Sequence, residues 1–432
     1  MYLDRACLAW MLSSDSFRSE IPLSETSVRD FGGIFSWVSQ LANFLKYNET
    51  GLLKSAFFLS YALAQVPAGW LAERFGKRHL LTLLVVIWSM FTALSGFSHG
   101  LAMLLVARLG CGIAEAGAYP ISGSLLGRWS HANWRGFTSG VVSLGGRVGG
   151  ALAPQITTVV ILGLSGWLGY AGWRWAGWTY GLLGIFVAIV FWRSYRETPS
   201  EHPGCNEAER TLLAEGRGPE LPRVRTSFPW GSILTDRSLW CMCVFQFLTN
   251  YGWAFAINSM SDYLKNVRHL NDAMNGHIST TALTLGLGGL LVGGFVTDAC
   301  ARRWGTRQGR KLPMVISRFV CAGLFLVCLQ VENPWIFALC LGGMTFFTDA
   351  GLPAVWAWAQ DVGGRQVAPI FGWANMWGNF GAALQPLVNG WVLARFDHQH
   401  DWHPSFIACS IAFALSGVFA MGIDAARPVK NA

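Results

Sequence analysis

The chain has 432 residues, of which 52% are hydrophobic and only 13% charged, with 22 Trp and a formal net charge of +8. So apolar a composition at that length excludes a string of soluble domains and predicts one polytopic, all-α membrane unit. The cations sit in short segments between apolar runs and form no basic face with interleaved aromatics, so topology explains them and no nucleic-acid partner is expected. The 10 Cys include no CxxC or Cys/His cluster, and no metal or cofactor is expected.

The first apolar stretch, MYLDRACLAWML, ends at Ser13, Ser14 and Asp15. It is worth about 18 Å of helix, half a crossing of the bilayer. The expectation is therefore a truncated first helix, with a segment preceding the given start. Residues 15–50 are an outer loop in which FGGIFSWVSQLANFLKY places Ile34, Trp37, Val38, Leu41 and Leu45 at helical spacing. That spacing predicts an amphipathic surface helix over 31–47. A full crossing there would invert every later loop.

Spans follow near 52–72, 79–97, 101–123, 136–162 and 175–194, with Trp167, Tyr170, Trp173, Trp175 and Trp178 as an interfacial aromatic belt. The polar stretch 195–235 is the joint, and spans resume near 238–264, 277–300, 312–331, 334–358, 366–394 and 404–424. Residues 1–194 then form an N-terminal half, 195–235 a cytoplasmic central loop, 236–424 a C-terminal half and 425–432 a cytoplasmic tail. With both ends cytoplasmic, most loop Lys and Arg fall inside.

Between the second and third spans lies GWLAERFGKRHLL, in which Gly69 permits close helix approach and Glu73, Arg74, Gly76, Lys77 and Arg78 form a charged turn. The bland reading is a solvated connector. The order of residues resembles the signature loop of the major facilitator superfamily, G-x-L-A-D-R-x-G-R-K, with Glu73 where that family usually has Asp. A degenerate echo follows half a chain later at Gly294, Asp298, Arg302, Arg303, Arg307, Arg310 and Lys311. The resemblance implies two similar six-helix halves, a gating role for the loop and a monomer in the inner cell membrane.

Ionisable groups at membrane depth mark a site by default. Six are singled out: Asp4, Arg5, Arg108, Glu115, Arg147 and Asp349. Arg108 and Glu115 are seven residues apart, on one helical face and about 10 Å from each other along the axis, too far to pair directly. The bland alternative for these groups is a charge network that only fixes packing, and Arg108 is near enough to a membrane face to snorkel. Arg147, in SLGGRVGGALAP, reads equally as a fork for a substrate carboxylate or as an ion-pair partner of Glu115 or Asp4. In the first half, three deep cations stand against two carboxylates, so protonating either acid raises the positive surplus and favours an anion.

YLDR at Tyr2–Arg5, the run ARLGCGIAE ending in Glu115, Pro120 before Arg128-Trp129, and GNFG followed by Pro386 from Gly378 are similar to the anion:cation symporter family within that superfamily. Bacterial transporters of hexonates, hexuronates and glucarate and animal organic-anion carriers belong to it. The resemblance implies secondary active transport of a small organic anion with a proton or sodium ion. Asp4 and Glu115 would be the proton-coupling carboxylates, and Arg5 a switching partner or anion ligand. Tyr61 with Gln65, Gln246 with Asn250 and Tyr251, and Asn375 with Asn379 supply polar groups at similar depth; the resemblance places Tyr61 and Asn375 among the substrate contacts. Arg108 and Asp349 are assigned to a charge network. Efflux of another small molecule and a non-transporting sensor are the competing readings, while the absence of G-x-S-x-G, Walker and HExxH motifs argues against an enzyme.

Overall fold

The structure, a computed structural model, describes residues 11–12, 14–24, 36, 40, 49–215, 230–270, 272–395 and 402–429. Asp4, Arg5 and nearly all of the expected 31–47 helix lie outside these residues. No strand occurs among the described residues. Hydrocarbon offers the backbone no hydrogen-bond partners, so long apolar runs satisfy their own N–H and C=O groups as helices.

The helices in chain order are α1 Asp15–Glu20, α2 Glu49–Phe75, α3 Lys77–Gly96, α4 Leu101–Glu115, α5 Ala118–Trp129, α6 Arg135–Gly163, α7 Gly172–Ser194, α8 Glu207–Glu215, α9 Trp230–Thr235, α10 Arg237–Asn258, α11 Met260–Asn266, α12 Asp272–Gln330, α13 Pro334–Ala350, α14 Leu352–Val362, α15 Val367–Arg395 and α16 His403–Met421. Some of their starts carry side-chain caps. Asp236 accepts the Leu239 N–H at 2.8 Å ahead of α10, and Asn333 accepts those of Trp335 and Ile336 ahead of α13, whose first residue is Pro334.

Two compact units result. Unit one comprises Met1–Tyr119 and Gly146–Glu197, and unit two Pro120–Gly145 and Thr198–Ala432. In unit one, Phe17, Leu53, Leu104, Trp173 and Tyr180 share a buried core. Helix α7 lies so close to α3 that a Cβ on Gly181 would sit 2.8 Å from the Ser89 carbonyl oxygen. In unit two, Phe255, Phe325, Phe337, Phe406 and Phe413 form an aromatic core. There α12 touches α13 backbone to backbone: a Cβ on Gly289 would meet the Phe346 oxygen at 2.2 Å. Leu63, Leu162, Leu182, Phe186 and Leu339 are exposed, an apolar surface suited to hydrocarbon.

Three features differ from the sequence expectation. The cationic stretch after the eighth span is helical, so α12 runs through it and reverses only at Gly305, where φ is +77°. A positive φ is open to glycine, and the helix resumes after Gly305, Gly309 keeping helical backbone. The spans expected at 101–123 and 334–358 each break, after Glu115 and after Ala350. The span at 238–264 divides at Ser259 into α10 and α11.

Candidate functional site

In unit one, α4 carries both of its deep charges on a buried face: Arg108 is 4% and Glu115 2% exposed. The Arg108 guanidinium lies 5.9 Å from the centroid of the Phe57 ring and its Nη2 is 3.8 Å from the Cys111 thiol. Phe57 in turn stacks on Tyr61 at 5.9 Å. Gly112 makes this approach possible, since a Cβ there would fall 2.5 Å from the Phe57 carbonyl oxygen. Arg108, Phe57, Tyr61 and Glu115 are thereby gathered on facing sides of α2 and α4, with Gln65 buried one turn beyond Tyr61. Arg147, on α6, is half-buried, and a Cβ on neighbouring Gly149 would meet nothing within 4 Å.

In unit two, α10 and α15 cross at two glycines. A Cβ on Gly378 would collide with the Asn250 amide at 2.3 Å and touch Gln246, and one on Gly381 would meet the Phe247 oxygen at 2.0 Å. This brings Gln246 and Asn250 to the helix that carries Asn375 and Asn379, and Asn379 Nδ2 donates to the Asn375 carbonyl at 2.8 Å. Tyr251 points elsewhere, packing on the aromatic core. Asp349 is 5% exposed at the end of α13.

Sequence reading missed Arg318. It is 2% exposed inside α12, and its Nη2 donates to the Thr348 carbonyl at 3.1 Å, one residue before Asp349. The signal was present as a lone cation in the apolar run VISRFVCAGLF.

The signature loop of unit one turns on Gly76, at φ +93°. Glu73 pairs with Lys77 at 3.0 Å, and the Lys77 backbone N–H donates to Glu197 Oε1 at 2.9 Å. Arg78 lies over the Trp192 ring at 4.1 Å, while Arg74 lies over Trp70 at 5.3 Å; Gly69 is buried. The echo in unit two is more heavily bonded. Asp298 accepts the Gly136 and Phe137 N–H groups, both at 2.8 Å, at the N-terminus of α6. Arg310 links Asp298 at 3.3 Å to Asp361 at 2.8 Å, and Arg135 pairs with Asp361 as well.

A cleft of about 470 Å³ near α1 is lined by Glu20, His99, Tyr170, Arg174 and Trp178. Glu20 pairs with Arg174 there at 2.9 Å.

Buried charges set inside lipid-length helices, polar residues converging at helix crossings and a twice-used charged turn define a polytopic membrane carrier. Residues 23–386 match the family model described as Major Facilitator Superfamily, and the chain belongs to that family. It is 27% identical to the probable L-galactonate transporter of Escherichia coli, over all of this chain and 87% of that one. It is 28% identical to the probable galactarate/D-glucarate transporter GudP of Escherichia coli, over 79% of this chain and 78% of that one. Among solved structures it resembles the proton:xylose symporter XylE bound to 6-bromo-6-deoxy-D-glucose, with a TM-score of 0.66 and 15% identity over 99% of this chain and 94% of that one, a likeness of fold. The protein is thus a multi-pass membrane transporter of this superfamily, not an enzyme.

Proposed function

We propose that the protein is a proton-coupled symporter of a small organic anion, a sugar acid of the hexonate, hexuronate or glucarate class, in the inner cell membrane with both termini cytoplasmic. The observation that carries the reading is the α2–α4 cluster, where Glu115 is buried on the same helix as Arg108, whose guanidinium lies over Phe57 beside Tyr61. The names of the relatives, transporters of galactonate and of galactarate or glucarate, support the substrate class.

Glu115 is the group that exchanges its charge for a proton, together with Asp4. With the carboxylate charged, Arg108 and Arg147 are partly compensated and the site disfavours an anion. When Glu115 takes up a proton, the positive surplus favours binding of the substrate carboxylate, with Arg5 and Arg147 as its ligands. Tyr61, Gln246, Asn375 and Asn379 donate and accept hydrogen bonds to the sugar hydroxyls. Alternating access then moves proton and anion together, the two halves on either side of the 195–235 loop rocking about a site near the bilayer midplane, and the protein works as a monomer. The loop Gly69–Arg78 closes the cytoplasmic side.

The test is reconstitution of the full-length protein in liposomes, with hexonates, hexuronates and glucarate offered in turn. Wild type takes up protons when the substrate is added. Glu115→Gln loses uptake driven by a pH gradient but keeps exchange of labelled for unlabelled substrate, which needs no net proton movement. Absence of proton movement with every anion in the wild type would remove the reading.

A further inference from the structure

The two halves of the sequence carry one short phrase each. Glu115-Ala116-Gly117 precedes Pro120, and Asp349-Ala350-Gly351 precedes Pro353. In each case the carboxylate closes the first segment of a broken helix: α4 ends at Glu115 and α5 starts at Ala118, while α13 ends at Ala350 and α14 starts at Leu352. The carboxylates lie 14 and 15 residues beyond Leu101 and Pro334, the first residues of α4 and α13, so their depth is nearly equal. Both are buried, at 2% and 5% exposure. A carboxylate repeated at the same break in both units is not required for packing, since an apolar residue of similar volume fills such a position without the cost of desolvation.

The surroundings of Asp349 are those of a charge held for use. The Arg318 guanidinium, 2% exposed, spans the residues on either side of it: its Nη2 donates to the Thr348 carbonyl and lies 2.7 Å from where a Cβ on Gly351 would sit. Phe245 and Phe413 flank that guanidinium at 5.2 and 5.9 Å, from α10 and α16. Its Nε and Nη1 have no hydrogen-bond partner among the described residues. From the other side, the first stretch of α12 presents Gly286, where a Cβ would sit 3.0 Å from Asp349 Oδ2. Among the described contacts, Arg318 and Cys321, both on the second stretch of α12, face it with a charge or a titrating proton. Thr345 and Thr348 are the hydroxyls on its own helix, and Thr348 Oγ1 is 3.3 Å from the Cys321 thiol.

We propose that Asp349 is a further proton-binding carboxylate of the transport cycle, beside Asp4 and Glu115, with Arg318 as its counter-charge, so that the helix break after Asp349 carries such a group as the break after Glu115 does. This rests on the symport reading above and adds a site in the opposite half. A proton arriving on Asp349 neutralises the carboxylate and leaves Arg318 as an uncompensated cation in an apolar wall. That charge is relieved by an anion entering nearby or by movement of α13 against α12. The two halves of the chain thereby respond to protons through the same element.

Infrared spectroscopy of the purified full-length protein separates this site from the transport reading. Titrating protonated-carboxyl carbonyl bands are expected in the wild type, with one component that persists in Glu115→Gln, is lost in Asp349→Asn and returns in Asp349→Glu. Arg318→Gln is expected to move the pH midpoint of that band by about one unit or more. An Asp349→Asn spectrum that titrates like the wild type overturns the proposal. In liposomes, Asp349→Asn is expected to lower pH-driven galactonate uptake by about tenfold or more while exchange persists. Unchanged driven uptake also overturns it. If the wild type moves no sugar acid at all, the symport reading fails by that result alone, and the infrared titration still decides whether Asp349 binds a proton.

Discussion

The two signature loops make the same turn with different bonding. In unit one the acid and the reversing glycine, Glu73 and Gly76, are three residues apart, and the turn is held by the Glu73–Lys77 pair and by Glu197 on the backbone of Lys77. In unit two, Asp298 and Gly305 are seven apart, one more helical turn. The longer arm puts Arg310, past the turn, where it touches Asp298 and Asp361 together. The shorter Asp side chain also sits flush against the start of α6. A Cβ on Gly136 would fall 2.8 Å from Asp298 Oδ1, so the close approach needs both a small donor residue and a short acid. The same sequence device thus serves as a hinge fastening in one unit and as the centre of a buried ion network in the other.

Breaking the network is the strongest way to test that contrast. Asp298→Ala removes the acceptor of two backbone N–H groups and leaves Arg310, 2% exposed, with only Asp361 to offset it. Uncompensated buried charges cost about 3–5 kcal/mol, so a large fall in melting temperature is expected, read from the intrinsic fluorescence of the 22 Trp. A melt within a degree of wild type would show that the cluster is solvated and weak. Next in size is Gly289→Leu, which drives a side chain into the Phe346 carbonyl. Overpacking costs about 1–3 kcal/mol in a well-packed core, and α12 and α13 cannot separate without uncovering the Asp349 site. Gly145→Ala, at a position where a Cβ would meet nothing within 4 Å, is the matched control and should melt as wild type.

Much of this was legible in the residues. Apolar runs of lipid length marked long helices, six of which among the described residues are apolar enough to cross a membrane, and the G-x-L-A-E-R-x-G-K-R order with its echo led to the family. The buried charges on α4 followed from their spacing. Arg318 escaped because one cation barely alters the hydropathy of VISRFVCAGLF, and only burial shows that it does not snorkel. The extent of α12 escaped because a run of cations between spans reads as a loop, whereas Ala, Arg and Trp keep the backbone helical up to the single kink at Gly305, which divides it into two helices. Glu197 escaped because its acceptor role depends on the Lys77 backbone, 120 positions away in sequence. Pairings of that kind leave no local pattern.

The smallest expected effect concerns that last contact. Glu197→Gln keeps an amide oxygen that can accept the Lys77 N–H but removes the negative charge beside Gly76, whose Cβ position lies 3.0 Å from Glu197 Oε2. Only the difference between a charged and a neutral acceptor is lost, about 1 kcal/mol, so the melting temperature should fall by far less than in Asp298→Ala. Glu197→Ala removes the acceptor altogether and should lie between the two. The order Gln, Ala, then Asp298→Ala is what the geometry requires if the unit-one loop is a fastening made by single bonds and the unit-two loop a network. Should Glu197→Gln melt as low as Asp298→Ala, the charge on Glu197 would have to act on more than the Lys77 backbone, and the loops would be equivalent networks after all.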